Sequence, residues 1–71
     1  MVQDFPHLRQ ELESRVKART GRRVLNLDFE LLPEGIILHG RTTTFHVKQL
    51  AQRGVRDVLP DVRLDNAIIV G

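Results

Sequence analysis

Between Ile36 and Val58 the apolar pattern changes its period, and that change constrains the fold more than any other feature. Ile36-Ile37-Leu38 reads as the core of a strand that Gly40 ends. Thr42, Thr43 and Thr44 then offer hydroxyls to start a helix. Beyond them Val47, Leu50, Ala51, Gly54, Val55 and Val58 recur at intervals of three and four, one buried stripe of a helix over 43–59. A glycine inside a helix costs about 1 kcal/mol relative to alanine. Gly54 therefore predicts a close approach of this helix to the first helix or to the sheet.

The preceding chain supplies a helix and a partner strand. Residues 4–20 read as a helix, with Asp4 as cap, Pro6 in the first turn and Phe5, Leu8, Leu12 and Val16 as the buried stripe. Glu11–Arg15 and Glu13–Lys17 stand in the favourable acid-first order, and Gly21 is placed to end the helix in the left-handed region. From Val24 to Leu32 the period is two. Leu25, Leu27, Phe29 and Leu31 share one face, and Asn26, Asp28 and Glu30 share the other. Pro33-Glu34-Gly35 is a turn, with proline presetting φ and glycine expected at a positive φ. Strands joined so briefly form an antiparallel hairpin. In the second of them Ile36, Leu38 and Gly40 face the core, while Ile37, His39 and Arg41 face outward.

Pro60-Asp61 stops the second helix, and Val62 to Val70 reads as a last strand. Leu64, Ile68 and Val70 alternate there with Asp65, Ala67 and Ile69. Asn66 falls on the inward face, where it needs an edge position or a backbone partner. The order is αββαβ. A right-handed crossover puts both helices on one face, so the expected fold is α+β: a two-layer αββαβ sandwich with a three-stranded mixed sheet in order 1-2-3. A last strand beside the first would instead make the sheet fully antiparallel. The expected core is Leu8, Leu12, Val16, Leu27, Phe29, Leu38, Leu50, Val55, Ile68 and Val70. Gly40 is expected beneath the helix backbone or Phe45.

Seventy-one residues make a single domain, residues 1–71, that buries roughly 60% of its unfolded surface. The absence of cysteine excludes disulfides and thiolate metal sites. No apolar run is long enough to span a membrane. Met-Val-Gln-Asp-Phe-Pro has neither the charged region nor the apolar region of a secretory signal, so none is expected. The net charge is only +2, with acids and bases alternating along most of the chain. A nucleic-acid module concentrates positive charge on one face, and the densest acid-free basic run here, Arg15 to Arg23, suits a solvated helix end. Nor is there the Gly-x-x-Gly loop of a KH-type RNA module.

No catalytic constellation is legible. Ser14, the sole serine, has no histidine near it in sequence, and His7, His39 and His46 read as surface residues without ligand spacing. Asp28 and Glu30 lie on an ordinary solvated strand face. No glycine-rich phosphate loop occurs. The expectation is a non-enzymatic module with no cofactor and no metal.

Ile36-Ile37-Leu38-His39-Gly40, Leu50-Ala51 and Leu64-Asp65-Asn66-Ala67-Ile68-Ile69-Val70 resemble the pattern of the BON domain, a small bacterial αββαβ module. That pattern has a strand ending in Leu-x-Gly, a helix with a small residue near its middle, and a last strand of the form Val-x-Asn-x-Leu-x-Val. The resemblance spans about residues 7–70. The chain departs from it at Leu59-Pro60-Asp61-Val62, where the family often has a Gly-Val turn. The resemblance implies a binding module of the bacterial envelope that meets phospholipid surfaces.

Two surfaces follow as expectations. The first turn of the second helix, Thr42 to Lys48, holds no acid to meet the positive dipole end. Arg41, Thr43, Thr44 and Lys48 are therefore expected to take a phosphate or carboxylate of an anionic lipid surface. The alternative is a protein-interaction or self-assembly module that uses the uncovered sheet face. Ile37, Ala67 and Ile69 would be its interface, with Val24 and Leu32 on the same face.

Overall fold

The computed structural model describes residues 5–71, with side chains from His7 onward. The expected cap Asp4 and the side chains of Phe5 and Pro6 lie outside the described residues. Helix α1 spans Phe5–Thr20, strand β1 Leu25–Leu32, strand β2 Gly35–Thr42, helix α2 Phe45–Val58, strand β3 Leu64–Asn66 and strand β4 Ile69–Val70. The fold is α+β, with two helices and a mixed sheet of four strands. β2 is central: β1 pairs with it antiparallel, and β3 and β4 both pair with it parallel along its other edge.

The sheet has four strands rather than three because the expected last strand is divided. Asn66 does this. Its Oδ1 accepts the Ile68 backbone N–H at 3.2 Å, while its Nδ2 donates to the Lys48 carbonyl at 2.9 Å. A side chain that takes a backbone donor competes with the ladder. The register is unchanged across the break: Leu38 pairs with Asn66, and Arg41 pairs with Ile69. Two short edge segments result, each a poor template for a further strand. On the other edge, Arg9 Nη1 reaches from α1 to Asp28 Oδ1 at 2.9 Å and to the Phe29 carbonyl at 2.7 Å, covering part of β1.

The core joins Leu12 and Val16 of α1, Ala51 and Val55 of α2, Phe29 of β1, Ile36 and Leu38 of β2, and Ile68. Leu8 and Leu27 are partly buried against it. Two expected members are not core. Val70 is 38% exposed at the rim. Leu50 is half-buried and stands outside the cluster, because Ala51 and Val55 carry the centre of the α2 stripe. Among the described residues the interior also holds two polar ones, Thr20 and Thr42. Thr20 Oγ1 donates to the Val16 carbonyl at 2.8 Å, whereas the buried Thr42 Oγ1 has no partner.

The glycines correct three expectations. Gly40 lies inside β2 and does not end it. A Cβ there would meet Val24 Cγ1 at 2.7 Å and Ile68 Cγ1 at 3.6 Å, so these side chains, not the helix or Phe45, lie over it. Gly35 has no positive φ. Its role is space, since the Arg63 carbonyl and Cβ occupy the place its own Cβ would take. Gly21 does adopt the left-handed region at φ +66°, and its N–H donates to the Lys17 carbonyl at 2.8 Å.

A bulge reorders β1. The pairing with β2 slips between Leu25 and Asp28, and Asn26 sits there at φ 56°. A bulge residue in the left-handed region suits asparagine better than most side chains. The slip exchanges two neighbours. Val24, expected on the outer face, packs on the core, and Leu25, expected on the same face as Leu27 and Phe29, is 61% exposed.

Candidate functional site

Directly paired residues on adjacent strands project from the same face of a sheet. Arg41 pairs with Leu25 on one side and with Ile69 on the other, so the three form one row across the sheet. The row lies on the outer face, because Thr42, next along β2, is buried with the core. Both apolar flanks are open, Leu25 at 61% and Ile69 at 56%. Asn26, His39, Gly40, Arg41, Ala67 and Ile69 line a shallow hollow on this face. A second hollow beyond Asn26 is lined by Lys17, Arg22 and Leu25 among others.

Among the described residues, the large hydrophobic side chains that remain exposed lie at this end of the sheet. Leu25 starts β1, Ile69 and Val70 form β4 opposite the end of β2, and Phe45 opens α2 three residues after Thr42. The segments that reach this end, 20–27, 40–48 and 66–71, contain no Asp or Glu, while they carry Arg22, Arg23, Arg41, His46 and Lys48. Acids gather toward the hairpin: Glu34 and Asp65 line a hollow there with Leu32, Ile37 and Arg63.

At the start of α2 the geometry is that of a capped helix. Thr44 has extended backbone angles, and its side chain accepts the Val47 N–H at 3.1 Å. Thr43 is exposed. Lys48 Nζ stands 5.9 Å from the centre of the Phe45 ring, a cation–π distance. Thr43, Thr44 and Lys48 thus belong to the start of α2, whereas Arg41 faces the other side of the sheet. Among the expected interface residues, Ala67 and Ile69 meet at the Arg41 hollow. Ile37 lies four residues back along β2, between its partners Glu30 and Asp65. Leu32 is half-buried at the hairpin.

Sequence reading placed Asn26 on this face but missed its bulge, and missed Leu25, Phe45 and Val70 as parts of this end. The available signal was Asn26 itself, a residue that tolerates the left-handed region in the middle of an alternating strand.

The remaining ion pairs tie the scaffold. Arg19 Nε and Nη2 donate to the two carboxylate oxygens of Asp57, each at 2.8 Å, linking α1 to α2. The hydrogen bond from Arg19 holds the Asp57 carboxyl below its ordinary pKa, and the same bond raises that of Arg19. Arg56 Nη1 donates to the Pro60 carbonyl at 3.1 Å and to the Val62 carbonyl, fixing the loop into β3. Glu13 and Lys17 form the expected pair, exposed, at 3.8 Å. His39 Nε2 and Glu30 Oε1 stand 3.2 Å apart on the outer face.

Among the described residues, no group of three or more His, Asp or Glu side chains is placed to hold a metal ion, and no helix is long and apolar enough to cross a membrane. No family model matches the chain, and neither does a curated protein or a solved structure.

Proposed function

We propose that this chain is a non-enzymatic docking module whose acid-free sheet end meets an anionic phospholipid surface. In this reading it is a two-layer αββαβ sandwich of BON type, with helices over one face and the other face bare. One observation carries it: Arg41 stands between two exposed aliphatic side chains, Leu25 and Ile69, at the end where the exposed hydrophobics of the described residues gather and segments 20–27, 40–48 and 66–71 carry no acid. Apolar side chains enter the boundary between headgroups and acyl chains, and cations beside them meet anionic headgroups. A Lys or Arg near such a surface contributes about 1 kcal/mol, within a Debye length of about 8 Å at physiological salt. Arg41, Lys48 and Arg22 are the cations in question, and Thr43 and Thr44 add hydroxyls at the rim.

Co-sedimentation with vesicles tests this. Binding to phosphatidylglycerol-containing vesicles, but not to pure phosphatidylcholine vesicles, is expected, with loss at high salt. Arg41→Glu should weaken it at least fivefold and Ile69→Asp likewise. Equal binding to both vesicle types, or none at millimolar lipid, would overturn the reading.

A further inference from the structure

The bare face carries two rows of opposite character. Leu25–Arg41–Ile69 is a cation between two aliphatic residues, and Glu30–Ile37–Asp65 is an aliphatic residue between two acids. Both rows lie on the outer side of β2, centred four residues apart, which is about 13 Å along a strand. His39 lies midway. We infer that this face is self-complementary and pairs with a second copy of this chain.

The pairing follows from symmetry. A two-fold axis running across the strands at His39 reverses β2 and lays the Arg41 row of each copy on the Ile37 row of the other. Each Arg41 then rests its stem on the partner's Ile37, with that copy's Glu30 and Asp65 on either side. The aliphatic Leu25 and Ile69 cover the stems of the same two acids. A two-fold axis along the strands would instead oppose Arg41 to Arg41. The contact made across the strands is isologous and closed, as in most homodimers.

The other charges on the face fit this arrangement. The His39 row meets itself, so each Asp28 faces the other copy's Asp28, and the like charges are offset because each is held by its own Arg9 at 2.9 Å. Arg63, one row beyond Asp65, falls past the partner's Arg41 row. Glu30 contacts its own His39 at 3.2 Å and keeps a second oxygen for Arg41 of the other copy. A standard interface buries about 800 Å² per partner, and a face of two eight-residue strands flanked by two short edge segments offers less, so the dimer should form only at high protein concentration.

A charge exchange tests the pairing. Arg41→Glu faces acids with an acid, and the double variant Glu30→Lys/Asp65→Lys faces a cation with cations. Each alone should be monomeric by sedimentation equilibrium at 1 mM and low salt, where the wild type doubles its mass. An equimolar mixture should double its mass again, because both contacts of the mixed dimer then join opposite charges. Circular dichroism confirms that each variant is folded. A wild type that stays monomeric, or a mixture that does not associate, overturns the inference. Lipid docking is read separately: Glu30→Lys/Asp65→Lys should still sediment with anionic vesicles, since its Arg41 row is intact, whereas Arg41→Glu should lose both properties.

Discussion

The backbone of Gly54 lies against the backbone of Val16: a Cβ built on Gly54 would stand 2.7 Å from the Val16 Cα and 3.0 Å from its nitrogen. The two helices therefore touch main chain to main chain, and the neighbour has no side-chain end that could swing aside. Gly54→Ala gains about 1 kcal/mol of helix propensity but overpacks the contact by about 1–3 kcal/mol. The urea midpoint should fall. A midpoint that rises would show that the helices separate at little cost.

Gly40 and Gly21 should respond differently. At Gly40 a Cβ meets Val24 Cγ1 at 2.7 Å and the Leu25 carbonyl at 3.3 Å, and valine adds two more methyls. Gly40→Val should cost about 1–3 kcal/mol. Gly21 is open around its φ of +66°, and asparagine tolerates that conformation, so Gly21→Asn should cost only a few tenths of a kcal/mol. Thermal melts of the two variants check the order. Equal losses would contradict it.

The two buried threonines should respond with opposite signs. Thr20 Oγ1 donates to the Val16 carbonyl, while Thr42 Oγ1 is buried without a partner. A buried polar group left unsatisfied costs about 1–3 kcal/mol. Thr42→Val removes that penalty at equal shape and suits a strand, so it should stabilise by about 1 kcal/mol. Thr20→Val loses a made hydrogen bond inside a helix and should destabilise. Denaturant titration reads both.

These differences mark where the sequence was legible. Period two and period 3.6 placed α1, β1, β2 and α2, because those elements bury one regular face and side-chain alternation reports it. The Glu13–Lys17 spacing and the demand of Asn66 for a backbone partner were also readable. Unreadable was anything that resets the count. Asn26 inserts one residue into β1 and exchanges Val24 with Leu25 across the sheet. Asn66 takes the Ile68 N–H and divides the last strand without shifting its register. Alternation assumes an unbroken ladder, so both events lay outside it. For the same reason the exposed end was only half visible. Arg41 and Ile69 followed from alternation, but Leu25 joined them only through the bulge.

The Arg19–Asp57 clasp should give stability an acid-side dependence. Asp57 has a lowered folded-state pKa, so its contribution is full above the unfolded value of about 3.9 and is lost as pH falls through the folded value. Asp57→Asn should flatten the stability profile below about pH 4, where the wild type declines. Melting temperatures between pH 2 and pH 7 read this. Parallel profiles for the two proteins would show that other carboxylates carry the acid transition.

The most direct test of the docking end is a residue-resolved one. Amide NMR spectra should be recorded with nanodiscs of phosphatidylcholine alone and with nanodiscs containing phosphatidylglycerol. The expected result is broadening and shifts centred on Leu25, Asn26, Arg41, Phe45, Ile69 and Val70, present only with the anionic lipid and suppressed by salt. Effects centred on the hairpin hollow around Leu32, Glu34 and Asp65, or spread evenly over the chain, would contradict the assignment of this end as the lipid-docking surface.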